Sequence, residues 1–147
     1  MGAYQVVVVG TDGSDSSMRA VDRAAQLAGA DAKLIIASAY LPQHQDARAA
    51  DALGAESYKV SGTAPIYAIL RDAKERARAA GAKNVDERPI VGAPVDVLVN
   101  LAEEEKADLL VVGNVGLSTI AGRLLGSVPA NVSRRAKVDV LIVHTTS

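Results

Sequence analysis

The chain has 147 residues, a formal net charge of −1 at pH 7 and 49% hydrophobic residues, with no Cys, Trp or Phe. This length predicts one domain over residues 1–147 with an aliphatic core. The missing cysteines exclude disulfides, thiolate metal sites and a Cys nucleophile, and the near-neutral charge argues against nucleic-acid binding. With no signal-peptide pattern and no apolar run of the roughly 18 residues that a membrane span needs, we expect a cytoplasmic protein without membrane contact.

Five segments predict β-strands. Four are continuous apolar, β-branched runs, as is typical of parallel strands covered on both faces: Gln5–Thr11, Lys33–Ala39, Asp108–Gly113 and Val138–Val143. The fifth, Val85–Val91, carries charges and Pro89. Because proline has no N–H to donate to a neighbouring strand, this segment is predicted to be an edge strand.

Helical patterns fill the intervals between the strands. Apolar residues recur at three- and four-residue spacing in four segments: Ser16–Ala28, Pro65–Ala80, Pro94–Lys106 and Ser127–Ala136. Proline at the start and glycine past the end fit the usual helix boundaries. Residues 41–63 are polar and Ala-rich, which predicts an irregular excursion with some helix and no second domain.

Strands that alternate with helices predict an α/β fold: a doubly wound, five-stranded parallel sheet in the order 3-2-1-4-5, Rossmann-like, with helices on both faces. The segment Val138–Val143 would then form an apolar edge. Since an exposed apolar edge strand promotes aggregation unless it is paired, we expect a homodimer that pairs this strand with its own copy across a two-fold axis.

In such a sheet, ligands bind beyond the carboxyl ends of the strands where the winding reverses, here between the first and fourth strands. The first strand leads into Gly10-Thr11-Asp12-Gly13-Ser14 and the fourth into Gly113-Asn114-Val115-Gly116. Gly126-Ser127 opens the last helix, whose N-terminus would suit a phosphate. Taken alone, Gly126-Ser127 is better explained as an ordinary helix cap, because helix caps far outnumber phosphate sites.

Other kinds of site do not fit. The chain has no Walker motif, no G-x-G-x-x-G after the first strand and no G-x-S-x-G nucleophile elbow. A phosphoacceptor receiver domain would need an Asp after the third strand, where Val91-Gly92-Ala93-Pro94 stands. His44 and His144 have no partner at metal-ligand spacing, so we interpret both as solvated surface residues. No catalytic residue and no metal ligand is predicted.

Three motifs, in order along the chain, together resemble the universal stress protein family. Gly113-x-x-Gly116, nine residues and then Gly126-Ser127 match the G-2x-G-9x-G-[ST] pattern of its nucleotide-binding members. Val9–Ser14 is similar to the end of that family's first strand, and Gly92-Ala93-Pro94 is similar to the start of its third helix. The resemblance extends from about Tyr4 to Thr145.

The resemblance implies a site for an adenine nucleotide. Asp12 would hold the ribose or the adenine edge, although Asp-Gly is also a common turn former. The backbone at Ala39 would read the base. Gly113, Gly116, Gly126 and Ser127 would surround the ribose and phosphates, and Val115 and Val128 would supply aliphatic walls in a chain that lacks Trp and Phe.

Two departures from the family pattern bear on which nucleotide binds. Asn114, Val115 and Leu117 stand where many ATP-binding members have cationic side chains, and Gly10 stands where Pro or Val is common. Fewer cations leave a triphosphate with fewer charge-assisted hydrogen bonds. The sequence therefore predicts that AMP or cyclic AMP competes well with ATP, with Mg²⁺ accompanying the nucleotide if it is ATP.

Three functions remain open. The favoured hypothesis is a stress-response binding module that senses or sequesters adenine nucleotides. The alternative is a slow ATPase or autophosphorylating protein, although phosphoryl transfer relies on metal clamps and positioned cations that this sequence does not place near the site. A third interpretation is a dimer whose nucleotide site is vestigial.

Overall fold

A computed structural model describes residues 4–40, 64–114, 119–120, 123–124 and 128–144. In chain order the elements are β1 (Val6–Gly10), α1 (Asp15–Ala28), β2 (Lys33–Tyr40), α2 (Ala64–Ala79), β3 (Asn84–Val91), α3 (Pro94–Glu104), β4 (Leu109–Gly113), β5 (Thr119–Ile120), β6 (Arg123–Leu124), α4 (Val128–Arg135) and β7 (Asp139–Val143). The excursion predicted at 41–63 lies outside the described residues.

The main sheet has five parallel strands in the order β3-β2-β1-β4-β7. This confirms the predicted fold class and the predicted order, with β7 as the fifth strand. The short strands β5 and β6 pair with each other in an antiparallel ribbon that the sequence did not predict.

Two apolar clusters form the core, one on each face of the sheet. Alternating residues of β1 divide between them: Val7 and Val9 pack with α1 and α2, whereas Val8 packs with α3 and α4. Successive side chains of a strand point to opposite faces, so each central strand must be apolar throughout. That requirement explains the uninterrupted Val and Ile runs.

The observed helix and strand bounds differ from the predicted ones by at most two residues. The largest difference is in α3, which ends at Glu104 because Lys106 takes a left-handed backbone with φ of 53°. No helix within the described ranges is long and apolar enough to cross a membrane.

The two edges of the sheet differ in character. Pro89 lies in the edge strand β3, as predicted. At the opposite edge, β7 has Val140 and Leu141 half-buried and leaves 42% of Ile142 exposed. The pairing of β7 with its own copy stays a prediction.

Candidate functional site

The winding of the sheet reverses at β1, which pairs with β2 on one side and with β4 on the other. β1 ends at Gly10 and β4 ends at Gly113, so both predicted glycines lie at the same edge of the sheet. The next strand along the chain from β1 is β2, which lies on one side of β1, and the main-sheet strand that follows β4 is β7, which lies on the other. This is the position at which doubly wound sheets bind ligands.

A cluster of buried hydroxyl groups holds the turn after β1. Thr11 and Ser17 are 1% and 0% exposed, and their hydroxyl oxygens lie 2.8 Å apart. The Thr11 hydroxyl also accepts from the Gly13 N–H at 3.1 Å. Because every one of these polar groups has a partner, the turn is held in one conformation at little desolvation cost. We name Thr11, Asp12, Gly13, Ser14 and Ser17 the β1 turn.

Asp12 is exposed, and the two oxygens of its carboxylate have different surroundings. Oδ1 accepts from the Ser14 N–H at 2.9 Å and from the Ser17 hydroxyl at 3.0 Å. This is the hydrogen-bonded turn that Asp favours on its own. Oδ2 receives no hydrogen bond from the described part of the chain, so it is available to a ligand. The turn-forming and ligand-binding interpretations of Asp12 are therefore compatible.

Ser14 connects the β1 turn to α1. Its hydroxyl accepts from the Ser17 N–H at 3.2 Å and caps the helix. Gly13 has a φ of +87°, and a β-carbon placed on it would lie 3.0 Å from two carbons of Ile69. Glycine is thus required here both by the backbone and by the approach of α2.

The second strand contributes backbone at the same edge. Ala39 lies inside β2, which continues one residue beyond the predicted end and pairs Ala39 with Ile90 of β3. The preceding residue, Ser38, is 1% exposed, and its hydroxyl has no hydrogen-bond partner among the described residues. Sequence reasoning did not single out Ser38.

The carboxyl ends of β4 and β7 are joined by a polar contact. Gly113 pairs with Val143, and the Asn114 N–H donates to the Val143 carbonyl at 2.9 Å. The Asn114 side chain then donates from Nδ2 to Nδ1 of His144 at 3.2 Å. His144 is exposed, as predicted, but it is not isolated. The sequence signal that could have revealed this pair is that both residues directly follow adjacent parallel strands.

Val128 begins α4 and is 2% exposed, packed in the cluster that contains Val8 and Val112. Its predicted role as a wall of the nucleotide site stays a prediction. Four other predicted residues, Val115, Gly116, Gly126 and Ser127, lie outside the described ranges. Within those ranges, no group of three or more His, Cys, Asp or Glu side chains could hold a metal ion.

The chain is similar to known proteins along almost its whole length. A sequence model described as the universal stress protein family matches residues 3–144. The chain is 89% identical, over 146 residues, to the universal stress protein Rv1636 of Mycobacterium tuberculosis H37Rv, and the match covers 99% of this chain and all of the relative.

Two crystal structures are similar over almost the whole chain. One is a universal stress protein in complex with cAMP, at 66% identity and a TM-score of 0.75, covering 99% of this chain and 100% of that one. The other is the Rv1636 protein of M. tuberculosis H37Rv, at 78% identity and a TM-score of 0.63, covering 99% of each chain.

Proposed function

The chain belongs to the universal stress protein family, and on that premise we propose that it binds an adenine nucleotide at the carboxyl ends of β1 and β4. The observation that carries the proposal is the β1 turn. It stands at the winding reversal, its buried hydroxyls are mutually satisfied, and Oδ2 of Asp12 is left available. The similar structure that contains cAMP supports an adenine nucleotide as the ligand.

Within this class we propose that cyclic AMP or AMP competes well with ATP. Five described residues that end or follow the strands at this edge include no permanent cation: Gly10, Asp12, Ala39, Gly113 and Asn114. A triphosphate with three to four negative charges therefore gains few charge-assisted hydrogen bonds here, whereas a nucleotide with one or two charges gives up less. If ATP binds, we expect Mg²⁺ to accompany it.

We further propose a sensor or sequestering module that does not catalyse a reaction. Oδ1 of Asp12 accepts hydrogen bonds from Ser14 and Ser17, so this carboxylate stabilises the β1 turn. Its other oxygen is the one that we propose binds the nucleotide. Phosphoryl transfer would instead require an acid devoted to a metal or to the attacking group. We also propose that the protein acts in the cytoplasm and forms a homodimer by pairing β7 with its own copy. The second copy would cover Ile142, which is exposed in the single chain.

The test is a calorimetric titration of the native chain and of Asp12→Asn with adenosine, cyclic AMP, AMP and ATP. Asparagine keeps Oδ1, which accepts from Ser14 and Ser17, but replaces Oδ2 by a donor NH₂. The loss of one charge-assisted hydrogen bond to the ligand should raise Kd about tenfold. Asp15→Asn, in the first turn of α1, is the matched control and should leave Kd within about twofold.

No binding of any adenine nucleotide to the native chain would contradict the proposal and favour a vestigial site. A clear preference for ATP in the presence of Mg²⁺ would contradict the proposed ligand order. Release of phosphate from labelled ATP, abolished by Ser127→Ala, would favour the slow ATPase.

A further inference from the structure

The edge strand β3 is only partly covered by the described helices on the side of the sheet that carries α3. On that side α3 lies over β1, β2 and β4, and α4 lies over β7. Asp86, Arg88 and Ile90 alternate toward this side of β3. Arg88 pairs with Asp86 at 2.9 Å and with Glu105, at the end of α3, at 2.6 Å. These ion pairs cover the first part of the strand and leave Ile90 beside a groove.

The groove runs between the carboxyl end of β3 and α3, and we name it the β3 groove. Its volume is about 190 Å³. The pockets that enclose whole small molecules usually span about 300–1,000 Å³, so this groove is better suited to a single side chain. The lining residues that matter to its chemistry come from the strand end and from one side of the helix: Ile90, Val91, Asp96, Val97, Asn100 and Glu104.

Val91 is open to solvent through both its side chain and its backbone. The Gly92 N–H donates to the Tyr40 carbonyl at 2.7 Å, and Tyr40 is the register partner of Val91. In a parallel pair, the residue opposite a partner that is bonded in this way turns its own N–H and C=O to the other side. The backbone groups of Val91 therefore point to the free edge of the sheet, and 52% of the residue is exposed.

The earlier part of β3 is protected against the addition of another strand. Asp86, Glu87 and Arg88 are charged, and Pro89, which lies on the same side of the strand as Val91, has no N–H to donate. Charged residues and proline are common means of protecting an edge strand. The protection ends at Ile90–Val91, where the β3 groove begins. An extended segment can therefore pair with this edge over a short stretch only.

The rim of the β3 groove is acidic. Asp96 pairs with Arg135 at 2.8 Å. Glu104 is exposed, and its carboxylate forms no ion pair with the part of the chain that the structure describes. No lysine or arginine belongs to the described residues that line the groove. An unpaired carboxylate beside apolar side chains is complementary to a partner that carries a basic residue next to an apolar one.

We propose that the β3 groove docks a short, extended segment of another protein in which an apolar side chain adjoins a basic one. The apolar side chain contacts Ile90 and Val97, the backbone of the segment pairs with Val91, and the basic group meets Glu104. Addition of an extended segment to a free sheet edge is a common mode of peptide recognition. Since β3 and β7 are opposite edges of the sheet, this surface is separate from the one proposed for the homodimer.

The experiment follows the backbone amide signals of the isotopically labelled native chain by NMR while capped tripeptides are added. Ac-Val-Lys-Val-NH₂ is the probe, Ac-Val-Glu-Val-NH₂ reverses its charge, and Ac-Ser-Lys-Ser-NH₂ removes its apolar side chains. We expect the probe to cause saturable shifts at Val91, Gly92 and Asn100. The glutamate peptide should bind about fivefold more weakly, as an exposed ion pair allows. The serine peptide should cause no saturable shift.

Two variants in α3 test the role of charge. Glu104→Gln should bind the lysine and glutamate peptides with equal affinity. Glu103→Gln is the matched control and should retain the preference, because Glu103 does not line the groove and its carboxylate pairs with Lys137 at 3.7 Å.

Several outcomes would overturn the inference. They are the absence of saturable shifts in the native chain, equal affinity for the two charged peptides, and a preference that survives Glu104→Gln or is lost in Glu103→Gln. Sedimentation of Val91→Lys identifies a different occupant. If this substitution lowers the oligomeric state of the free chain, a second copy of the chain occupies the β3 groove and the inference is wrong.

Discussion

The two ends of the β1–β4 pair are held in different ways. At the amino end, the Asp108 carboxylate accepts from the Gln5 and Val6 N–H groups at 2.8 and 2.9 Å, and the Asp108 N–H donates to the Val6 carbonyl. These bonds join residues more than 100 positions apart in sequence. At the carboxyl end, the β1 turn is held by hydrogen bonds among its own residues and by one from the Thr11 N–H to the Ala37 carbonyl of β2 at 2.9 Å, and among the described residues no hydrogen bond joins it to the end of β4.

If the proposed function holds, the difference predicts that the amino end contributes to stability and the carboxyl end to nucleotide binding. The amino end is cross-linked between strands, and Tyr4 adds a hydrogen bond to Asp139 of β7 that raises the pKa of the Tyr4 phenol. The carboxyl ends of β1 and β4 lie at the winding reversal, which is the place where doubly wound sheets bind ligands. Substitutions at the amino end should change the free energy of unfolding without changing nucleotide affinity, whereas substitutions at the carboxyl end should change affinity.

The largest expected effect is that of Asp108→Ala, which removes both carboxylate bonds at the amino end. The Gln5 and Val6 N–H groups lose charged acceptors, so the free energy of unfolding should fall by about 3 kcal/mol. Urea denaturation measures this loss. Nucleotide Kd, measured well below the midpoint of unfolding, should stay within about twofold.

Asp31→Ala is the matched control, because Asp31 is an exposed aspartate in the turn before β2. It should change the free energy of unfolding by less than about 0.5 kcal/mol. A tenfold loss of nucleotide affinity in Asp108→Ala would break the comparison, since the two ends would then be coupled.

The sequence predicted those parts of the molecule whose physical cause is local. Each buried strand is a continuous apolar run because both of its faces are covered, so the strands and their order could be derived. The β5–β6 ribbon could not, because a two-residue strand such as Thr119–Ile120 has no measurable periodicity. Pro89 marked the edge strand because its missing N–H is a property of the residue itself.

The candidate site was predictable only in part. Asp12, Gly10 and Gly113 lie at strand ends, so their shared edge follows from topology. The Ser17 hydroxyl and the Asn114–His144 contact depend on side-chain directions set by packing, which no short motif encodes. The hydrogen bond from the Gln5 N–H to the Asp108 carboxylate joins residues 103 positions apart. No pattern in either segment predicts that the two residues meet.

The second prediction compares the two glycines that flank α1. Gly13 lies at the carboxyl end with a φ of +87°, and Gly29 lies at the amino end with a φ of +60°. Alanine at either position forces a strained backbone and should cost about 2 kcal/mol of unfolding free energy. Only Gly13→Ala should also weaken nucleotide binding, because its β-carbon would push against Ile69 and move the turn that holds Asp12.

Calorimetric titration at a temperature where both variants are folded separates the two effects. Gly29→Ala serves as the control for backbone strain, since nothing lies within 4 Å of its added β-carbon. Equal losses of affinity in the two variants would show that general destabilisation, and not the position of the β1 turn, weakens binding.

The smallest expected effect is that of Ser38→Ala, which should stabilise the protein, whereas the substitutions above should destabilise it. The Ser38 hydroxyl is buried with no partner within the described part of the chain, so its removal should raise the free energy of unfolding by about 1 kcal/mol. Ser17→Ala is the matched control, because it removes an equally buried hydroxyl that has hydrogen-bond partners. This substitution should lower the free energy of unfolding by about 1–2 kcal/mol. Urea denaturation of both variants without nucleotide gives the comparison. If Ser38→Ala is instead as destabilised as Ser17→Ala, the Ser38 hydroxyl is satisfied in solution by bound water, and the carboxyl end is then as fully bonded as the amino end.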